Sequence, residues 1–468
     1  MYRGKIRIGK GAIVMLEKDE TGKSKTIELL CEEYLKNNYI DPEISENLGV
    51  KRGLRNKDGT GVLAGLTNVC DVVGYEMRDG VRVPCDGLLI YRGIDVVKIV
   101  EEAYAHDRFM FEEVIWLLLF GRLPNEEQLA GFRTVLEQYR ELPKDFVEDM
   151  ILKAPSPDIM NKMGRAVLAL YSYDENADNL SLQNIIRQSI ELIADLPTIM
   201  VSAYQIKRRV YDRQSMYWHL PTPGLSVAEH ILSTYRADQK YTREEAKLLD
   251  ICLVLHADHG GGNNSTFSCR VLSSTGTDTY AAISAAIGSL KGPKHGGANH
   301  KVMQQLKELK ENIKNYSDDD EIYAYLCSVL RKKAGDHSGL IYGIGHAVYT
   351  KSDPRAVILR KAAQNLAIEK GYGDEFGLLC AVERLGPAAM KEIKGTKDIC
   401  ANVDLFSGLV YTMLGLSEDL FTPLFAIARI PGWCAHRVEE VMFANRIMRP
   451  AYKYLGEDQE YIKIEDRE

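Results

Sequence analysis

What this chain of 468 residues lacks narrows its function. No apolar run approaches the roughly 18 residues a membrane-spanning helix needs. The N-terminal Met1-Tyr-Arg-Gly-Lys-Ile carries no apolar core of a secretory leader. Its nine cysteines are scattered, odd in number and without a Cys-x-x-Cys pair. That argues against a disulfide framework or a zinc cage and predicts reduced thiols in a cytoplasm. Positive charge is not in excess: the formal net charge is −7. A general nucleic-acid binder is excluded, and any anionic substrate must meet positive charge that is gathered locally.

Motifs are missing too. No Gly-x-Gly-x-x-Gly follows a strand and no Walker phosphate loop occurs, so nothing indicates dinucleotide or P-loop chemistry. There is no Gly-x-Ser-x-Gly nucleophile elbow, no βαβ alternation and no internal repeat. At 27% charged and 45% apolar the composition is that of a globular protein with a large core.

What is present reads as helix. Residues 1 to about 60 are a charged, weakly patterned extension that reads either as a helical arm or as a partly mobile segment. Between Gly61 and Gly93 the texture turns to β. Asp79-Gly80, flanked by Val72-Val-Gly-Tyr-Glu-Met and Val81-Arg-Val, predicts a hairpin. Beyond Gly93 come start and stop signals of helices. Asp95 and Asp278 stand as N-caps, Asn125/Gln128 and Thr242/Glu245 as capping boxes, Asp353-Pro354 as a cap with proline at the first position, and Gly121 as a stop. The expected fold is all-α with one small N-terminal β hairpin.

Six of the ten histidines lie between 256 and 346, and three of them, His259, His295 and His346, adjoin glycine. His256-Ala-Asp-His259 ends a helix and runs into a glycine loop. A metal reading of His256 and His259 lacks a third ligand nearby; His256 suits a core position and His259 a ligand contact. His295 lies between Gly-Pro-Lys and Gly-Gly at a helix start, where the dipole favours a neutral imidazole able to donate to an oxyanion or enolate. His346 occupies a second glycine turn. Asp404, in Asn402-Val-Asp404, is open between a general base and a helix N-cap. Arg355, Arg429 and Arg449 are candidates for a dicarboxylate clamp, because the planar guanidinium grips both carboxylate oxygens. Lysines at 291, 294, 301, 332, 333, 351 and 397 could hold a polyphosphate tail. Together these suit carbon–carbon bond chemistry better than hydrolysis alone.

Four ordered blocks resemble the signatures of the citrate synthase family: Leu255–Phe267, Gly292-Pro-Lys-His-Gly-Gly-Ala-Asn299, Gly343-Ile-Gly-His-Ala-Val-Tyr-Thr-Lys-Ser-Asp-Pro-Arg355 and Asn402-Val-Asp-Leu-Phe-Ser-Gly408. Tyr91-Arg-Gly-Ile-Asp95 and Glu113–Pro124 resemble its N-terminal blocks, so the likeness runs from about residue 50 to the end.

The resemblance implies a multi-helical enzyme with a large domain (61–302 and 421–468) and a smaller mobile one (303–420), working as a homodimer. It implies condensation of acetyl-CoA with oxaloacetate and hydrolysis of the citryl thioester. Asp404 would take a methyl proton, His295 would donate to the thioester oxygen and His346 would polarise the oxaloacetate carbonyl. His259, Asn263, Arg355 and Arg429 would bind substrate, and Arg449 would reach the neighbouring subunit's site. Ser265 would orient His295. Gly343, Ile344, Gly345 and Ala347, with Lys351 or Lys397, would meet CoA. No metal and no redox cofactor is implied. Ala347, Thr350, Ala401 and Ala451 depart from frequent family residues, and Thr350 puts one CoA phosphate contact in doubt. The rivals are a 2-methylcitrate synthase using propionyl-CoA, a non-catalytic citrate-binding homologue and a metal hydrolase built on His256 and His259.

Overall fold

Asp79 and Gly80 both take positive φ, +52° and +77°, the conformation a two-residue hairpin turn requires. They join Cys70–Arg78 to Val81–Tyr91 in an antiparallel ladder. A computed structural model of the protein describes residues 6–7, 13–14, 25–41, 43–56, 59–396, 398–444 and 446–467. The chain forms two compact units, Met1–Gly65 and Leu66–Glu468. In the first, Lys25–Asn37 is a helix, and Ile6–Arg7 pairs with Ile13–Val14.

The sequence pattern offers only one β region. The described residues add Ile6–Arg7, Ile13–Val14 and a third strand beside the hairpin, Ile94–Asp95. Each is two residues long, too short to carry a period of two. The hairpin itself is irregular: its register shifts between Val73 and Tyr75. A Cβ on Gly74 would fall 2.3 Å from the Val348 carbonyl oxygen, and one on Gly87 2.2 Å from that of Ser352. Glycine at both places lets the hairpin lie directly against the 348–352 segment.

The helices start where local chemistry directs. Asp95 accepts from Val97 N–H, Asp278 from Ala281 N–H and Asp353 from Arg355 N–H. Both capping boxes form, opening Glu126–Gln138 and Arg243–His256. Gly121, at φ +83°, closes Phe111–Phe120. The turn bearing His295 leads into Ala298–Asn312, which buries Val302, Leu306 and Leu309.

At the core lies Phe421–Phe443, buried without a break from Phe421 to Arg437. A helix apolar all round belongs inside. It packs against Leu182–Val210, Arg243–His256, Asn264–Ser273, Thr279–Lys291 and Phe111–Phe120. Each large apolar side chain so buried is worth about 1.5–3 kcal/mol over leaving it exposed. The buried Arg437 settles its angle by donating to Ser273 Oγ, Thr277 O and Thr279 Oγ1 at 3.0, 2.8 and 3.1 Å. A second group of helices, Ala298–Asn312, Asp319–Leu330, Pro354–Glu369, Gly373–Lys394 and Asp404–Met413, pack on one another. Among the described residues no helix is long and apolar enough to cross a membrane.

Candidate active site

The Arg243–His256 helix delivers the first wall. His256 is buried, and its Nδ1 donates to the Cys252 carbonyl at 2.7 Å, so the bare nitrogen is Nε2. Arg429 Nε donates to the His256 carbonyl at 2.6 Å. Asp258 is buried and accepts from His436 Nε2 at 3.0 Å and from Gly260 N–H at 3.3 Å. Burial opposes its charge, but His436 and Arg429 outweigh that and hold the carboxyl below its ordinary value. His259 follows, buried, its ring edge-on to His346 with centroids 5.0 Å apart.

The second wall is the glycine turn around His346. Gly343 and Gly345 have φ of +83° and +110°. A Cβ on Gly343 would sit 2.7 Å from Leu405 Cδ1, so the turn lies flat on the helix that begins at Asp404. Backbone bonds tie them: Asn402 N–H to Gly343 O at 2.9 Å and Gly345 N–H to Cys400 O at 2.7 Å. His346 Nδ1 accepts from the N–H groups of Val348 and Tyr349, both at 3.0 Å. An accepting Nδ1 leaves the ring proton on Nε2, which can therefore donate to a ligand oxygen. Tyr349 stacks on the ring at 4.5 Å.

Arg355 is locked by the buried Asp353 through Nε to Oδ1 at 3.0 Å and Nη2 to Oδ2 at 2.8 Å. Burial acts against both charges. Their mutual attraction outweighs it, lowering the Asp353 carboxyl and raising the guanidinium.

His295 forms the third wall. Its Nε2 lies 3.0 Å from Ser265 Oγ and 3.1 Å from Asn263 Oδ1. Burial, helped by Arg429, lowers its pKa to about 4, so the ring is neutral near neutral pH. Phe425 is the shared partition, with centroids 6.4 Å from His295 and 4.7 Å from His256, and 4.8 Å from the Arg429 guanidinium.

Asp404 does not hold the cap position of its helix. It is the first residue of Asp404–Met413, and Val403, whose side chain makes no hydrogen bond, holds the cap position. Its own N–H donates to Asn402 Oδ1 at 3.0 Å. The residue is only half-buried, yet its carboxyl is well enclosed. Burial raises it to about 6, while Arg355 and Arg429 restrain the rise. A carboxylate poised near 6 and free of capping duty suits a general base.

Arg429 is fully buried, and neither Nη1 nor Nη2 has a partner among the described residues. His259 Nε2 and His256 Nε2 are likewise unpartnered. A buried cation with two bare nitrogens calls for an anion, best a carboxylate.

The fold thus gathers His259, Asn263, Ser265, His295, Gly343, Ile344, Gly345, His346, Arg355, Asp404 and Arg429. Ala347 and Lys351 are exposed on the outer side of the turn. Arg449 is exposed beyond the Phe421–Phe443 helix and has no hydrogen bond or ion pair among the described residues. Lys397 lies outside the described residues. Sequence reasoning missed Asp353 as the partner of Arg355, Tyr349 as the stacking face of His346, Phe425 as the partition and Asn402 as a tie. Asp353 was visible only as a cap; Tyr349 and Asn402 lie in the blocks without a local signal of their roles, and Phe425 lies outside them. Among the described residues no three His, Cys, Asp or Glu side chains gather as a metal cage.

Comparison with known proteins gives the family. Residues 56–451 match the family model described as citrate synthase, C-terminal domain. The chain is 35% identical to a citrate synthase of Deinococcus radiodurans over 384 residues, 82% of this chain and 94% of that protein. It is 32% identical to a 2-methylcitrate synthase of Shewanella oneidensis, across 79% of this chain and 88% of that one. Among solved structures, a ternary complex of carboxymethyl coenzyme A and oxaloacetate with citrate synthase from Thermoplasma acidophilum superposes with a TM-score of 0.73. It is 27% identical, and the match covers 89% of this chain and 99% of that one.

Proposed function

Because the chain belongs to the citrate synthase family, we propose that it condenses acetyl-CoA with oxaloacetate and hydrolyses the citryl thioester to citrate and CoA. It is in this reading an acyltransferase of the tricarboxylic acid cycle. Asp404 removes a proton from the acetyl methyl group while neutral His295 gives its ring proton to the thioester oxygen, giving the enol; that proton returns to His295 as the new carbon–carbon bond forms. The enol carbon attacks the oxaloacetate carbonyl, whose oxygen takes a hydrogen bond from His346 Nε2. Water then cleaves the thioester and CoA leaves as the thiol. Arg355, Arg429 and His259 hold the carboxylates, and Asn263 lines the site.

The observation that carries this reading is the conjunction of a carboxyl raised to about 6, a histidine lowered to about 4 and a buried guanidinium with two bare nitrogens. A weak carbon acid needs that base, a neutral donor for the developing enol and a fixed dicarboxylate partner. No metal or redox cofactor enters. We further propose a large domain of 61–302 and 421–468 and a small mobile one of 303–420. The chains pair as homodimers in the cytoplasm, Arg449 entering the partner's site. CoA meets the Gly343–Ala347 turn with Lys351 or Lys397 on its phosphates.

A second reading, 2-methylcitrate synthesis from propionyl-CoA, is favoured by relatives of that name at 32% identity. One methylene in an apolar pocket is worth only about 1–3 kcal/mol, so the same machinery serves either. Thiol release measured with acetyl-CoA and with propionyl-CoA, each with oxaloacetate, decides. A kcat/KM higher for acetyl-CoA supports the first reading; a higher value for propionyl-CoA replaces it with the second. No release from either sinks both and leaves a non-catalytic homologue.

A further inference from the structure

Ser265 has one hydroxyl proton and two claimants for it. Its Oγ lies 3.0 Å from His295 Nε2 and 2.9 Å from Asn263 Oδ1. The residue is fully buried, so water cannot arbitrate. A third group approaches from the core: Trp433 Nε1–H donates to Ser265 Oγ at 3.2 Å. Trp433 is also fully buried. It stands one helical turn beyond Arg429 on the Phe421–Phe443 helix, and residues four apart share a face.

The consequence is one of tautomers. A neutral imidazole carries a single N–H. If Nε2 holds it, Asn263 Oδ1 at 3.1 Å is a ready acceptor, and Nδ1 is left bare. If Ser265 donates to Nε2, the proton sits on Nδ1 and can be offered to a ligand oxygen. An indole N–H can only donate. Against Ser265 Oγ it occupies a lone pair, pins the oxygen in place and leaves the hydroxyl proton to Asn263 Oδ1 or His295 Nε2.

We propose that Trp433 is a positioning residue for the reaction: its indole N–H sets Ser265, and Ser265 sets His295 to present Nδ1–H to the thioester oxygen. This rests on the role given to His295 above. One helix then supplies both the dicarboxylate cation, Arg429, and the group that aims the enol-stabilising histidine, Trp433.

The test is kinetic. Trp433→Phe removes the N–H and keeps an aromatic ring. Replacing the indole by a benzothiophene, through 3-benzothienylalanine at position 433, removes the N–H and keeps the shape, so a folding defect of the first variant does not decide the matter. Thiol release with acetyl-CoA and oxaloacetate should show kcat lowered about tenfold in both, with the KM for oxaloacetate within about twofold of the parent. In a Ser265→Ala background, Trp433→Phe should lower kcat no further, because the two act as one unit. A kcat within about twofold of the parent in the benzothiophene protein, or a loss that adds in full to that of Ser265→Ala, overturns the assignment. A parent enzyme without turnover overturns the condensation reading itself, and this one with it.

Discussion

Asn402 donates its side-chain Nδ2–H to the Gly345 carbonyl at 2.7 Å. The Oδ1 of the same amide accepts the N–H of Asp404 at 3.0 Å. One amide thus ties the turn that carries His346 to Asp404, the first residue of the next helix. Asn402→Ala removes both bonds. Each is worth about 0.5–1.5 kcal/mol, so the variant should be destabilised by about 1–3 kcal/mol in urea unfolding. Its turnover should fall by about tenfold or more as His346 and Asp404 lose their register. Unchanged kcat and KM would show that the backbone bridge between Ile344 and Ala401 suffices by itself.

Asp404 links pH to both activity and stability. Its carboxyl is raised by burial to about 6 and must be ionised to act. The acid limb of kcat/KM should therefore have an apparent pKa of about 6, while His295, at about 4, stays neutral across it. A limb near 4 would contradict this assignment. For stability the sign follows from the upward shift. The folded state holds this proton more tightly than the unfolded chain, so the associated stability is fully present below about pH 4 and is lost as pH rises through about 6. The loss is of order 3 kcal/mol. Asp404→Asn escapes it. Urea melts should find that variant more stable than the parent at pH 8, with the gap closing toward pH 5.

Gly74 and Gly87 belong to the hairpin yet serve the His346 loop. A methyl at either would overlap the Val348 or the Ser352 carbonyl, and Tyr349 O–H and Ser352 Oγ bond back to the hairpin at Leu88 O and Asp86 Oδ1. Gly74→Ala and Gly87→Ala should each raise the KM for oxaloacetate at least several-fold. Gly131, with open space around it in the exposed face of Glu126–Gln138, is the control: its replacement by Ala should leave kinetics alone and add up to about 1 kcal/mol of helix stability. Equal behaviour of all three variants would remove the hairpin from the account.

Much of this was legible in the sequence, and the reason is locality. A cap, a capping box and a two-residue hairpin turn are decided within about four residues, so Asp95, Asn125/Gln128, Thr242/Glu245 and Asp79-Gly80 declared themselves. The ordered blocks likewise contain every gathered site residue except Arg429. The illegible part depends on what arrives from elsewhere in the chain. Nothing near Gly74 says that Val348 will press on it. Nothing in the Trp433 neighbourhood names Ser265. The role of Asp404 hung on whether it caps its helix, which only the position of Val403 and the direction of the Asp404 N–H decide.

Arg449 is exposed and unpartnered among the described residues, and the proposed pairing puts it in the partner's site. Mixed Arg449→Ala and Asp404→Asn chains, each inactive alone, should regain up to half the parent activity per dimer after exchange. In the heterodimer the Arg449→Ala chain keeps its own Asp404 and receives Arg449 from its partner. No recovery, with heterodimers demonstrated, would place Arg449 in its own chain's site or in none.

The most direct measurement compares Asp404→Asn with the parent at pH 8. Oxaloacetate affinity is followed by calorimetry and thiol release from acetyl-CoA by absorbance. The account predicts oxaloacetate binding within about threefold of the parent, because Arg355, Arg429 and His259 are untouched. It predicts turnover lower by about 10²–10⁴-fold, the usual cost of removing a general base. Turnover within a few-fold of the parent would contradict it: the carbon acid would then be deprotonated by some other group, and Asp404 would be a structural residue at a helix start.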